Sequence, residues 1–193
     1  MVALSGELFD AIEVNAARTG NHKRAAVRMS RLAVQATAGS MGRAEAHMRA
    51  GEQWMLADDP KEAVSEFKKA IADGGTTFDN PRVSLARAMF ALGRTEDAEA
   101  LLREVRESDA RTKPRTCDLV AELLTEQGDL QGALDWATAG VEALLGGGDD
   151  RNELQLLLRL RYRLRVDLGL PEDDYDKMLD NKKAQRADPA AGK

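Results

Sequence analysis

Small and apolar residues recur at a fixed interval of 35 residues through the middle of the chain. The repeated positions are Gly51, Ala86 and Ala121; Trp54, Met89 and Leu124; Asp58, Gly93 and Gly128; and Ala63, Ala98 and Ala133. Four positions that keep one interval over three copies indicate a tandem repeat. In such proteins the units stack on one another, because no single unit can bury its apolar face alone.

Each repeat is predicted to be two helices joined by a short turn. In the first repeat Asp58-Asp59-Pro60 forms the turn, since aspartate caps a helix and proline is tolerated at its first position. Gly93 and Gly128 supply the turns of the other two repeats. The small residues of the repeat lie where the two helices must approach closely, so we expect the alanines to be buried. The predicted repeats span 44–77, 79–112 and 114–147.

The flanking segments are also predicted to be helical. Residues 5–38 carry a similar turn followed by alanine, which indicates a degenerate N-terminal helix pair. Residues 151–180 are predicted to be capping helices, although 158–166 alternates as a strand does, because a lone strand would find no partner in a helical array. Residues 1–180 are thus predicted to form a single domain, and the polar tail 181–193 to be disordered.

The repeat resembles the tetratricopeptide unit, whose pattern is W-x2-L-G-x2-Y…A-x3-F…P. The first repeat matches best, through Ala50-Gly51, Trp54, Ala63, Phe67 and Ala70. The chain departs from the pattern in three ways: the tryptophan position holds His47, Arg82 and Cys117, the terminal proline is absent, and the period is one residue longer. The resemblance implies an all-α fold of tandem helix-turn-helix repeats, a right-handed α-solenoid, that acts as a protein-binding scaffold. The ending of the chain is similar to that of some bacterial tetratricopeptide proteins with an N-terminal cysteine-rich zinc motif, which is absent here.

Composition favours the same fold and narrows the function. Hydrophobic residues make up 43% of the chain and aromatic residues only 4%, so alanine and leucine must build the core. The net charge is −5, and residues 114–150 hold eight acidic residues against one basic residue. This acidic body argues against nucleic-acid binding, which needs a concentrated basic face. With no signal peptide and no apolar run long enough for a membrane span, the expected location is the cytoplasm.

No constellation of residues in the sequence points to catalysis, a metal or a cofactor. His22 and His47 do not form a zinc motif, and both are interpreted as structural residues. Cys117 is the only cysteine and is interpreted as an inert core thiol. The arginines at 159, 161, 163 and 165 split onto two faces of a helix, which favours salt bridges over nucleic-acid binding. We therefore expect no enzyme, no metal site and no cofactor.

A partner protein or peptide is expected to bind the concave groove, which is lined by the first helix of each repeat. The alternative is a regulatory module that senses a peptide or a small ligand and acts through a partner protein. Arginines spaced one repeat apart predict a bound segment with acidic and apolar residues, and the basic N-terminal helix pair is the next candidate surface. The predicted partner-binding residues are Met48, Arg49, Glu52, Met55, Val83, Arg87, Phe90, Arg115, Asp118 and Glu122. The sequence does not predict the oligomeric state.

Overall fold

The computed structural model describes residues 4–37, 41–147 and 150–179, and every regular element within these ranges is a helix. A 3-10 turn lies at Asp109–Thr112, between the sixth and seventh helices. The helices are α1 (Gly6–Thr19), α2 (His22–Gln35), α3 (Met41–Leu56), α4 (Pro60–Asp73), α5 (Pro81–Ala91), α6 (Thr95–Glu107), α7 (Pro114–Glu126), α8 (Leu130–Leu145), α9 (Arg151–Asp167) and α10 (174–179). The predicted all-α fold of tandem helix-turn-helix repeats is therefore confirmed. The segment with strand-like alternation is part of α9.

Two compact units make up the chain, residues 1–105 and residues 106–193. In the first unit α3 packs between α2 and α4, and α4 in turn packs against α5. In the second unit α8 packs against α7 on one side and α9 on the other. The description of residues 1–180 as a single domain stays a prediction, and the predicted disordered tail 181–193 lies outside the described residues.

The small residues of the repeat are in the core, where the sequence predicts them. Ala63, Ala98 and Ala133 are fully buried. Gly51 is buried against the ring of Phe67, and a Cβ atom at this position would lie 2.6 Å from the Cδ1 of that ring. The absence of a side chain at Gly51 thus allows α3 and α4 to approach closely.

The turn between the helices of each repeat depends on one residue with a left-handed backbone. Gly93 and Gly128 have φ angles of 71° and 82°, and Asp58 takes the same conformation with a φ of 57°. A side chain in this region brings Cβ close to the following carbonyl oxygen, which glycine avoids. Of these three turn residues, only Asp58 has a side chain, so only Asp58 is strained in this way.

Replacing Asp58 by glycine is expected to stabilise the protein by about 0.5–1 kcal/mol, because relief of the left-handed strain outweighs the added entropy of the unfolded chain. Urea unfolding of the wild-type protein and Asp58→Gly measures the difference. Asp58→Ala is the control, because it removes the carboxylate but keeps Cβ, and it should not stabilise. Equal unfolding free energies for the glycine and alanine variants would contradict the assignment of strain to this residue.

Candidate partner-binding face

The predicted site residues lie on the first helix of each repeat. α3 carries Met48, Arg49, Glu52 and Met55, α5 carries Val83, Arg87 and Phe90, and α7 carries Arg115, Asp118 and Glu122. The residues on α3 and α5 belong to the first unit, and those on α7 belong to the second.

Two of the predicted partner-binding residues lie in the core instead of on an open helix face. Met48 is 1% exposed and Val83 is 2% exposed. Helix α3 packs against α2 on one side and α4 on the other. More of its circumference is therefore buried than that of a helix that packs on one side only. Met48 forms part of the floor of a pocket, and Val83 has no surface to offer a partner.

The guanidinium group of Arg49 is already enclosed by carboxylates. Its Nε donates to Oε1 of Glu45 at 2.8 Å, and its Nη1 donates to Oδ1 of Asp10 at 2.7 Å and to Oε2 of Glu13 at 3.1 Å. The group also lies over the ring of Phe9, 5.5 Å from its centre. An acidic peptide bound here would have to displace these carboxylates from Arg49.

A pocket of about 220 Å³ surrounds this arginine. We call it the carboxylate pocket, and its acidic lining residues are Asp10, Glu13, Glu45, Glu52 and Asp79. Phe78 stands at its edge with 78% of its surface exposed, and its backbone N–H donates to Oε2 of Glu45 at 3.0 Å. The pocket thus combines an excess of negative charge with an exposed aromatic ring.

The electrostatics of the carboxylate pocket disfavour further negative charge. Burial raises the pKa of Glu52 to about 7, and the nearby carboxylates of Asp79, Glu13 and Glu45 add to the shift. Burial also raises the pKa of Glu13. A carboxyl group that is protonated near neutral pH would ionise more readily beside an added cation, so the pocket favours a positively charged ligand.

The other predicted residues of the first unit are partly exposed. Met55, Arg87 and Phe90 are each half-buried, with Arg87 and Phe90 three residues apart on α5. Residues three apart share a face of a helix, so these two side chains can contact one ligand.

The predicted residues of the second unit lie along α7. Arg115 and Glu122 are exposed, and Nη1 of Arg115 lies 3.5 Å from Oδ2 of Asp118 in the next turn of the helix. Arg115 therefore faces an opposite charge on its own helix. The side chain of Arg115 is 45% exposed and that of Asp118 only 13%, so the pair is partly open to a ligand.

The histidines and the cysteine make structural contacts. Nδ1 of His47 lies 2.7 Å from Oε2 of the buried Glu66, and Nδ1 of His22 lies 2.9 Å from Oε1 of Gln53. The thiol of Cys117 is buried and donates to the carbonyl oxygen of Arg111 at 3.1 Å. Burial raises the pKa of this thiol to about 11, so it stays protonated and unreactive at neutral pH. Within the described ranges, no three His, Cys, Asp or Glu side chains are placed to hold a metal ion.

Several residues of the carboxylate pocket were not predicted from the sequence. Phe78 and Asp79 lie in the loop before α5, outside any helical periodicity. Asp10 and Glu13 are three residues apart on α1, which places them on one face of that helix, and this spacing is the only local signal. Their contact with Arg49 depends on how α1 lies against α3.

The consecutive helix pairs define the class of the protein, which is a helical-repeat protein. Residues 55–123 match the family model of the tetratricopeptide repeat, from the end of α3 into α7. The chain therefore carries tetratricopeptide repeats in this segment, which is less than half of its length, and the predicted resemblance is confirmed. A search of the curated proteins found no relative that matches the chain. None of the helices among the described residues is long and apolar enough to cross a membrane.

Proposed function

We propose that the chain is a protein-interaction module that holds a segment of a partner protein against the α3 and α5 face of its first unit. Tetratricopeptide repeats generally mediate contacts between proteins. The observation that carries the proposal is the exposed ring of Phe78 beside the carboxylate pocket. An exposed aromatic side chain next to a cluster of carboxylates is a feature of binding surfaces.

The partner segment that fits this face carries basic and apolar side chains. Among the described residues, Arg49 is the only basic one that lines the carboxylate pocket, against five carboxylates, so a lysine or arginine of the partner would reduce the repulsion between these carboxylates. Phe78 can lie against the same cation, because aromatic rings attract cationic groups. The half-buried side chains of Met55 and Phe90 offer apolar contacts on the same pair of helices.

The pH dependence of binding tests this arrangement. Because the pKa of Glu52 is about 7, its carboxyl gains charge as the pH rises from about 6 to about 8. Capture of a basic partner from a lysate of the native cell should therefore increase over this range. The variant Glu52→Gln should lose that dependence, because its side chain stays neutral at every pH. Quantitative mass spectrometry of the captured proteins gives the measurement.

Loss of the partner in a double variant is the second part of the same test. Phe78→Ser with Glu52→Lys should abolish capture of the partner while leaving the helical content unchanged. The matched control is Tyr162→Ser with Glu99→Lys, which makes the same kinds of change at exposed positions away from the pocket. If the two double variants capture the same proteins in the same amounts, the carboxylate pocket is not the binding site.

A further inference from the structure

We infer that a second binding surface lies in the groove between α1 and α2, and that it takes an acidic segment of a partner protein. The groove has a volume of about 490 Å³ and shares no lining residue with the carboxylate pocket. It thus goes beyond the proposed function, and either surface can fail without the other. We call it the arginine groove.

Three arginines line one side of the groove. Arg24, Arg28 and Arg31 follow each other on α2 at spacings of four and three residues, which places them on one stripe of the helix. All three are exposed, and none of them makes a hydrogen bond or an ion pair with any residue that the structure describes. Neither α2 nor the described lining of the groove contains an aspartate or a glutamate. This stripe therefore presents three uncompensated positive charges.

The floor of the groove is apolar. Ile12 of α1 and Ala25 of α2 are buried, Leu32 is half-buried, and all three line the groove. The amides of Asn15, Asn21 and Gln35 stand among the lining residues and can hydrogen-bond to a backbone. A ligand that fills this groove therefore needs an apolar stripe beside a row of anionic groups.

An acidic amphipathic polypeptide matches this surface better than other anionic macromolecules. Within the described part of the chain, the groove has no aromatic lining residue on which bases could stack, and three arginines are few for a duplex, which needs a long basic face. A membrane surface is flat on this scale, whereas the apolar floor lies at the base of a concave groove. Carboxylates of a helical segment repeat at the spacing of the arginines and can each accept two hydrogen bonds from a guanidinium group.

Defined probes test the inference directly on the full chain. The probe is a short fluorescent helix-forming peptide with glutamates at the arginine spacing and leucines beside them, and its partner peptide has glutamine in place of each glutamate. Fluorescence anisotropy at low and at physiological ionic strength measures binding. We expect the glutamate peptide to bind at least about tenfold more tightly than the glutamine peptide, with the difference shrinking as salt screens the charges.

Matched charge reversals locate the binding. The variant Arg24→Glu with Arg28→Glu and Arg31→Glu should weaken binding of the glutamate peptide at least about tenfold, since it replaces attraction by repulsion. The control changes Arg103, Arg159 and Arg163 to glutamate, which alters the net charge equally at exposed positions outside the groove, and it should shift the affinity by less than about twofold. The single change Arg28→Gln keeps the test available if the triple variant folds poorly.

The remaining outcomes decide against the inference. Equal binding of the glutamate and glutamine peptides, or an equal loss in the groove variant and its control, would overturn it. Single-stranded DNA or phosphatidylserine vesicles that bind more tightly than the glutamate peptide, and lose binding in the groove variant, would show that the groove takes phosphate instead. The double variant Phe78→Ser with Glu52→Lys should bind the glutamate peptide as the wild-type protein does, which separates this surface from the proposed one.

Discussion

Replacing Arg161 by leucine is expected to lower the free energy of unfolding of the second unit by about 3 kcal/mol, because it removes one of the two arginines that pair with a buried carboxylate. Arg161 is 4% exposed and Asp176 is 5% exposed. Nη1 of Arg161 donates to Oδ1 of Asp176 at 3.2 Å and to Oδ1 of Asp173 at 3.0 Å. Its Nε donates to the hydroxyl of Thr138 on α8 at 3.1 Å, so one side chain ties α8, α9 and the start of α10 together.

The size of the effect is limited by a second arginine. Nε of Arg165 donates to Oδ2 of Asp176 at 2.9 Å, and the backbone N–H of Asp173 donates to the same oxygen at 3.1 Å, so this carboxylate keeps two donors when Arg161 is removed. For that reason we place the loss at the lower end of the range for a broken buried ion pair. The apolar contacts of Tyr175, Met178 and Leu179 with the second unit also remain. Helix α10 should therefore loosen without the rest of the second unit unfolding.

Urea unfolding and hydrogen exchange check this prediction. The matched control is Arg159→Leu, an exposed arginine two residues earlier on the same helix, whose loss should change stability by less than about 0.5 kcal/mol. Amide protons of residues 174–179 should exchange faster in Arg161→Leu than in the control. If both variants unfold at the same urea concentration, the buried ion pair does not stabilise the packing of α10.

The ion pair of Asp173 makes the free energy of unfolding depend on pH. The hydrogen bonds from Arg161 hold the pKa of Asp173 below its ordinary value, so the folded state favours the ionised carboxylate. The stabilisation from ionised Asp173 is fully present above the pKa of this group in the unfolded chain, about 4. It is lost as the pH falls through the lower pKa of the folded protein. The wild-type protein should thus lose more stability than Arg161→Leu when both are titrated from neutral pH into acid.

The repeats could be predicted from the sequence because their determinants are local and periodic. A helix pair needs small residues where its helices meet and a left-handed residue at its turn, and both requirements recur at the period of the fold. Ala98 is fully buried for this reason. The α9 arginines also separate as helical spacing predicts, with Arg161 and Arg165 in salt bridges and Arg159 and Arg163 exposed.

The candidate site could be predicted only in part, because its chemistry depends on contacts between distant segments. The position of Arg49 on the face of α3 follows from the repeat, but its partners Asp10 and Glu13 lie on another helix, 39 and 36 residues away. Periodicity predicts which side chains point outward from a helix, but it does not predict which charged residues of other segments contact them. Phe78 lies in a loop, where no periodic pattern exists to place it.

Placing leucine at Gly51 is expected to destabilise the first unit by about 2–3 kcal/mol, because the added side chain has no space between α3 and α4. The first added atom, Cβ, would already lie 2.6 Å from Cδ1 and 2.8 Å from Cζ of Phe67. That ring is fully buried and cannot move aside into solvent. The control Gly6→Leu adds the same side chain where nothing lies within 4 Å of the new Cβ, so it should leave the thermal midpoint nearly unchanged.

A pair of smaller changes separates this clash from the effect of glycine on the helix itself. Alanine is favoured over glycine inside a helix by about 1 kcal/mol, so Gly51→Ala should stabilise the protein wherever Cβ has room. In the wild-type protein the contact with Phe67 should make this change destabilising. In the background Phe67→Leu, which removes the ring atoms nearest to the new Cβ, the same change should become stabilising. Urea unfolding of the four proteins of this cycle gives the sign directly, and a destabilising effect of the same size in both backgrounds would mean that Phe67 is not what requires glycine at this position.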